Sequence, residues 1–327
     1  ETFNHLSVLP PWLAKFIEHS KPVELLAVAV VFVIILIAII VAATAPRGGG
    51  SSTSISEAVD STTYHSFLVN STAGVVAADS GTCSNIGVGI LKKGGNAVDA
   101  TIATTLCLGV VSPISSGIGG GSFIVVHNST TKENVFIDSR EVAPSGATAT
   151  MFTENPQLAQ HGGLAIAVPA ELKGLHYIWT HYGSGAVTWK QLVLPAADLS
   201  RRWVISPQLS ALMEKYNKEQ LQSGDYPALS ALFLRRDGDL KQVGDVVEDA
   251  VLADTLERIA DEGPNYLYET MAETLAQEIR DAGGIMTADD IQSYSINVYP
   301  ALESLFMGGY TYIGAQGSSS GGPVVAG

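Results

Sequence analysis

Two short apolar runs, F-I-V-V at 123–126 and V-F-I at 135–137, flank the polar stretch from Asn128 to Glu133. Runs this short, rich in β-branched and aromatic residues and joined by a polar link, predict a β-hairpin. A glycine cluster at 117 and 119–121 precedes it, and its second strand ends at Asp138, Arg140 and Glu141. Upstream, A-G-V-V-A-A-D-S from Ala73 to Ser80 reads as a short buried strand, and the segment from Ser84 to Gly95 as a helix closed by a double glycine. Asn96 is placed to cap a second helix, A-V-D-A-T-I-A-T-T-L-C-L-G-V-V, built of small and apolar residues. A strand over His161 to Pro169 should lead into a helix ending at Tyr182. Further helices are expected over 189–202, 207–222 and 247–262, the last burying Val251, Leu252, Leu256 and Ile259. Pro264 begins another, Gly283 and Gly284 close it, and Thr287 caps a short one after it. Leu305 to Gln316 should form a hairpin or bent strand. The order gives a mixed α/β fold with a helix-rich second half.

The longest apolar run lies outside this pattern. From Leu25 to Ala43 no side chain is charged or polar, and as a helix the segment would span about 28 Å. It reads as a transmembrane helix, with a secretory signal peptide ending near A-A-T-A as the alternative. The organisation expected is a cytoplasmic tail at 1–24, a membrane helix at 25–43, a flexible linker at 44–65 and an extracellular or lumenal domain at 66–327. Lys15 and Lys21 before the span and Arg47 after it favour this single-pass type II orientation in the lipid bilayer. The sequons at Asn70 and Asn128 agree, since they act as glycosylation sites only on the lumenal side.

Composition narrows the class. With 327 residues and 46% hydrophobic content the chain can bury a large core, and 18 basic against 32 acidic residues argue against nucleic acid as a partner. The glycines at 117–121 precede a strand where a dinucleotide fold needs a helix, and no Gly-Lys-Ser/Thr follows, so phosphate binding is not indicated. No metal site is expected: there is no C-x-x-C, and His176 and His181 fall off one helical face. Glu257, Asp261, Glu269, Glu273 and Glu278 read as the solvated faces of amphipathic helices. Ser318 to Ser320 lack the G-x-S-x-G order of a serine nucleophile. The two cysteines, Cys83 and Cys107, can form a disulfide or stay as buried thiols. Arg140 can pair with Asp138 or Glu141, or its planar fork can bind a ligand carboxylate by two parallel hydrogen bonds.

The stretch G-I-G-G-G-S-F-I-V-V followed by S-R-E-V-A-P, with G-G-N-A-V-D-A between the first helices, resembles the γ-glutamyltransferase (γ-glutamyl transpeptidase) family. The resemblance runs over about 71–327. It implies the α/β/β/α sandwich of N-terminal-nucleophile hydrolases, represented here by its large-subunit part. It also implies that Arg140 holds the α-carboxylate of the γ-glutamyl donor with Glu141 beside it, and that Cys83 and Cys107 are bridged. Family members cut themselves into a large subunit and a small one that opens with a nucleophilic threonine. No residue of this chain matches that threonine, so no catalytic residue is expected here, and the small subunit of the same precursor becomes a partner. Glutathione or other γ-glutamyl donors, and amino-acid or dipeptide acceptors, are the implied substrates; no cofactor is implied. The alternative is a catalytically silent membrane glycoprotein that uses the scaffold for structure or interaction.

Overall fold

The computed structural model describes residues 69–317 and 319. The tail, membrane helix and linker expected at 1–65 lie outside these, as do Ser318, Ser320 and the residues from 321 on. Among the described residues no helix is long and apolar enough to cross a membrane.

Helices α1 (Gly81–Lys92) and α2 (Ala97–Val111) form an antiparallel pair. Asn96 caps α2 as its sequence position suggests: its side chain accepts from the Val98 and Asp99 amides, and Asp99 accepts from the Asn96 amide. The second Asp99 contact, from the Ser184 amide at 3.0 Å, ties this helix start to a distant turn. Ala100, Ile102, Ala103, Leu106 and Val110 are all buried, so α2 is a core helix rather than an amphipathic one. Cys83 and Cys107 are bridged, their Cα atoms 5.4 Å apart. Closing that loop limits the unfolded chain; Cys83→Ala with Cys107→Ala should lower unfolding free energy by about 3 kcal/mol, read as a lower urea midpoint with a steeper slope, since the released unfolded chain exposes more surface.

The hairpin forms where expected. Strands β1 (Ser122–Asn128) and β2 (Glu133–Ser139) pair antiparallel, with Phe123 opposite Asp138 and Ser122 opposite Ser139. A third strand not evident in the sequence, N-V-Y-P, pairs on the far side of β2 and places Asn297 opposite Asp138. Phe136 and Ile137 of the central strand are buried. Helix α3 (Glu171–Tyr182) packs on the hairpin, and its Gly174 lies so close to Ser139 that a Cβ there would overlap the Ser139 hydroxyl.

The second half is helical. Helix α4 (Trp189–Ser200) is capped by Thr188 and lies along α8 (Ala250–Glu262), with the short helices α5 (Pro207–Leu212), α6 (Lys218–Ser223) and α7 (Pro227–Phe233) between them in sequence. Two short strands, β3 (Trp203–Val204) and β4 (Val246–Val247), pair at the start of this region and before α8. Helix α9 (Ala272–Asp281) and the Thr287-capped α10 (Ala288–Ser293) follow. The chain then enters β5 (Asn297–Pro300), the third strand of the hairpin sheet, and closes on the hairpin of β6 (Leu302–Phe306) and β7 (Tyr310–Gly314).

Four expectations are corrected. Ala73 to Ser80 has no regular secondary structure and pairs with no strand among the described residues; Val75 is 62% exposed, while the half-buried Val76 packs against α1. A single strand buries itself only when neighbours cover it. His161 to Pro169 is a 3-10 turn and one bridge, Val142 to Val168, because Gly163 is wedged backbone to backbone against Gly284 and Pro169 has no amide to extend a ladder. In α8 the buried stripe runs Ala253, Leu256, Ile259 and Ala260, which at 100° per residue turns Val251 to the opposite side, where it is 78% exposed. The helix expected over 207–222 is interrupted by a π turn at Met213–Asn217 that keeps Met213 in the core. The described residues hold one three-stranded and two two-stranded sheets.

Candidate functional site

Arg140 stands at the end of β2, where backbone contacts fix its position. Gly121 lies against the same strand end: a Cβ on it would overlap the Ser139 carbonyl oxygen and sit 2.9 Å from Cα of Arg140. The Arg140 amide donates to Asp138 Oδ1 at 3.1 Å, and its carbonyl accepts from the Tyr294 hydroxyl at 2.9 Å. The side chain is 55% exposed, with the guanidinium carbon 5.6 Å from the centroid of the Phe123 ring. Nε lies 3.2 Å from Glu141 Oε2. That contact is an ion pair rather than an aligned hydrogen bond, since the buried Oε2 has no hydrogen-bond partner. Asp138 thus closes its own strand end, and Glu141 is the carboxylate that orients Arg140.

A second tier fixes this strand end from below. Lys173 on α3 donates to the Tyr294 carbonyl and, at 3.3 Å, to that of Gln292. Its ammonium sits 4.5 Å from the Tyr268 ring centroid, and burial lowers its pKa. Tyr268 in turn donates to the Pro169 carbonyl at 3.0 Å. Burial, with Asp138 and Glu141 nearby, pushes the Tyr294 phenol up to about 12, so it stays a donor across the physiological range. Glu171, at the first turn of α3, is 3% exposed, and burial raises its pKa to about 8 against the opposing bond with Ser116. Sequence reasoning missed Glu171, Lys173, Tyr268 and Tyr294. The available signal was a glutamate opening a helix directly after the apolar run ending V-P-A.

The other predicted residues lie elsewhere. Asn70 is exposed; Asn128 opens the β1–β2 link, its Oδ1 accepting from the Thr130 and Thr131 amides. Glu257, Asp261 and Glu273 pair with Arg201, Lys190 and Arg280 on helix surfaces, and Glu269 and Glu278 are exposed. His176 packs between Trp179 and Trp189, and no group of three potential metal ligands occurs among the described residues. A cleft of about 590 Å³ bounded by His161, Gln220 and Tyr226 contains neither Arg140 nor Glu141. A half-exposed guanidinium, paired with one half-buried carboxylate and backed by a fixed strand end, has the chemistry to accept a second carboxylate from outside.

The family model Gamma-glutamyltranspeptidase matches residues 83–326. The chain belongs to that family. Within this gamma-glutamyltranspeptidase family, it is 42% identical over 254 residues to glutathione hydrolase 2 of Arabidopsis thaliana, covering 77% of this chain and 43% of the relative. Among solved structures it is similar to the gamma-glutamyltranspeptidase of Helicobacter pylori, with TM-score 0.69, 31% identity, and coverage of 78% of this chain and 73% of that one. It is also similar to gamma-glutamyltranspeptidase from Pseudomonas nitroreducens complexed with L-DON, with TM-score 0.67, 30% identity, and 79% and 75% coverage. The chain spans about two-fifths of the length of the curated relatives it matches.

Proposed function

We propose that this chain is the donor-binding, large-subunit part of a γ-glutamyltransferase that cleaves γ-glutamyl amides such as glutathione and passes the glutamyl group to water, amino acids or dipeptides. The observation that carries the reading is the Arg140–Glu141 pair. The guanidinium is held by one carboxylate and remains half exposed toward a ligand, in a chain whose relatives include glutathione hydrolases. Arg140 takes the α-carboxylate of the donor and so fixes the distance to its γ-amide. The nucleophile belongs to the small subunit of the same precursor, whose N-terminal threonine attacks that amide with its own α-amine as base. The two parts complete the N-terminal-nucleophile sandwich, a reading supported by the likeness to solved gamma-glutamyltranspeptidases. The apolar run at 25–43 anchors the protein as a single-pass type II membrane glycoprotein with Asn70 and Asn128 on the extracellular side.

The test uses protein purified from its native membrane. Incubation with glutathione should release glutamate, and a dipeptide acceptor should divert part of it into a new γ-glutamyl product; peptide mapping should find a companion chain that begins with threonine. A preparation containing that companion but releasing no glutamate would refute the assignment.

A further inference from the structure

Arg140 and Glu141 account for carboxylate binding, but they leave Glu171 without a task. Its carboxyl is buried at the start of α3, and Oε1 there has no hydrogen-bond partner among the described residues. The amides of Ala170 and Glu171 both donate to the Gly120 carbonyl, each at 2.8 Å. On the other side of Gly120 stands Glu141: a Cβ on the glycine would lie 3.4 Å from Glu141 Oε1. The opposite oxygen of Glu141 is the one 3.2 Å from Arg140 Nε.

We propose that Glu171 is a positioning residue for the Arg140 clamp, holding Gly120 and Glu141 from the start of α3 and, through Glu141, setting the guanidinium. This rests on the reading of Arg140 as the donor-binding residue. The Glu171 carboxyl is hydrogen-bonded to Ser116 and interacts electrostatically with Glu141 and Tyr268; Lys173, two residues further along α3, is engaged by the Tyr294 and Gln292 carbonyls and the Tyr268 ring. Burial comes first in keeping the Glu171 proton on until about pH 8, with the Glu141 charge adding to it. While the proton stays, one negative charge sits beside Gly120, and it belongs to Glu141. When the proton leaves to bulk water, a second negative charge joins that of Glu141 near Gly120, and the repulsion draws Glu141 away from Arg140.

In the active full-length protein, KM for a γ-glutamyl donor should rise about tenfold as pH climbs from about 7 to about 9.5, while Glu171→Gln, which keeps the shape and stays neutral, should hold KM within about twofold. A residue of purely structural importance would change the active fraction without altering the pH profile. The same alkaline rise in both proteins would overturn the proposal. The nitrogen-15 Nε resonance of Arg140 supplies a reading that needs no turnover. It should step near pH 8 in the unsubstituted protein and stay flat in Glu171→Gln; a flat trace in the unsubstituted protein also overturns it. Absence of donor turnover with the resonance step intact would remove the proposed function and leave the Glu171 coupling standing.

Discussion

Arg140→Lys should lower kcat/KM for a γ-glutamyl donor about a hundredfold, equivalent to about 2.7 kcal/mol. Lysine keeps the charge but offers a single ammonium where the guanidinium offers two parallel donors, so one charge-assisted hydrogen bond and the fixed orientation are lost together. The orientation enters kcat as well as KM, because a donor held at one point swings relative to the nucleophile. Arg140 also lies over Phe123 and beside Glu141, contacts that a shorter, unstacked ammonium does not reproduce. The side chain is half exposed, so the folded protein should keep its melting temperature within a degree or two, and the loss is then one of binding and not of folding. Steady-state kinetics with a donor and with its α-decarboxylated analogue decide the point. The analogue should be processed equally by both proteins, and an Arg140→Lys enzyme with unchanged donor kinetics would defeat the clamp. Arg202→Lys, which alters a surface pair with Glu248, serves as the control.

How much of this site was legible in the sequence follows from the range of its interactions. The hairpin that carries Arg140 is local: two β-branched runs and a polar link specify it, and the structure forms it over those runs. The caps at Asn96 and Thr287 were legible for the same reason, since a capping side chain bonds amides two or three residues away. The second tier was not. Tyr294 reaches Arg140 across 154 positions and Tyr268 reaches Pro169 across 99, and no periodicity announces a hydroxyl that finds a distant carbonyl. Glu171 has the sequence position of an ordinary first-turn acid, and only its burial sets it apart. Val251 shows a different failure, in which apolar character was read correctly but the helix phase was set by Ala253 and Ala260, small residues that give a weak signal.

Gly121→Ala should lower unfolding free energy by about 4 kcal/mol, among the larger single-residue effects open to this chain. Its cause is backbone, not side chain. The new methyl group would overlap the Ser139 carbonyl oxygen and lie 2.9 Å from both Arg140 Cα and Glu141 N, and none of these atoms can rotate away. Relief requires β1 and β2 to part at the Ser122–Ser139 pair, which also withdraws the Ser139 hydroxyl from the Ser122 carbonyl that it reaches at 2.9 Å. Opening that end moves Arg140 itself, so the same substitution should raise donor KM in whatever fraction stays folded. The neighbouring Gly119 gives the comparison: a Cβ there meets nothing within 4 Å and its φ is not positive, so Gly119→Ala should stay within about 0.5 kcal/mol of the parent. Urea unfolding of the two variants separates the explanations. A Gly121 effect as small as that of Gly119 would mean that the hairpin end yields freely. The position of Arg140 would then have to come from Tyr294 and Glu141 alone, and Tyr294→Phe would become the substitution that loosens the clamp.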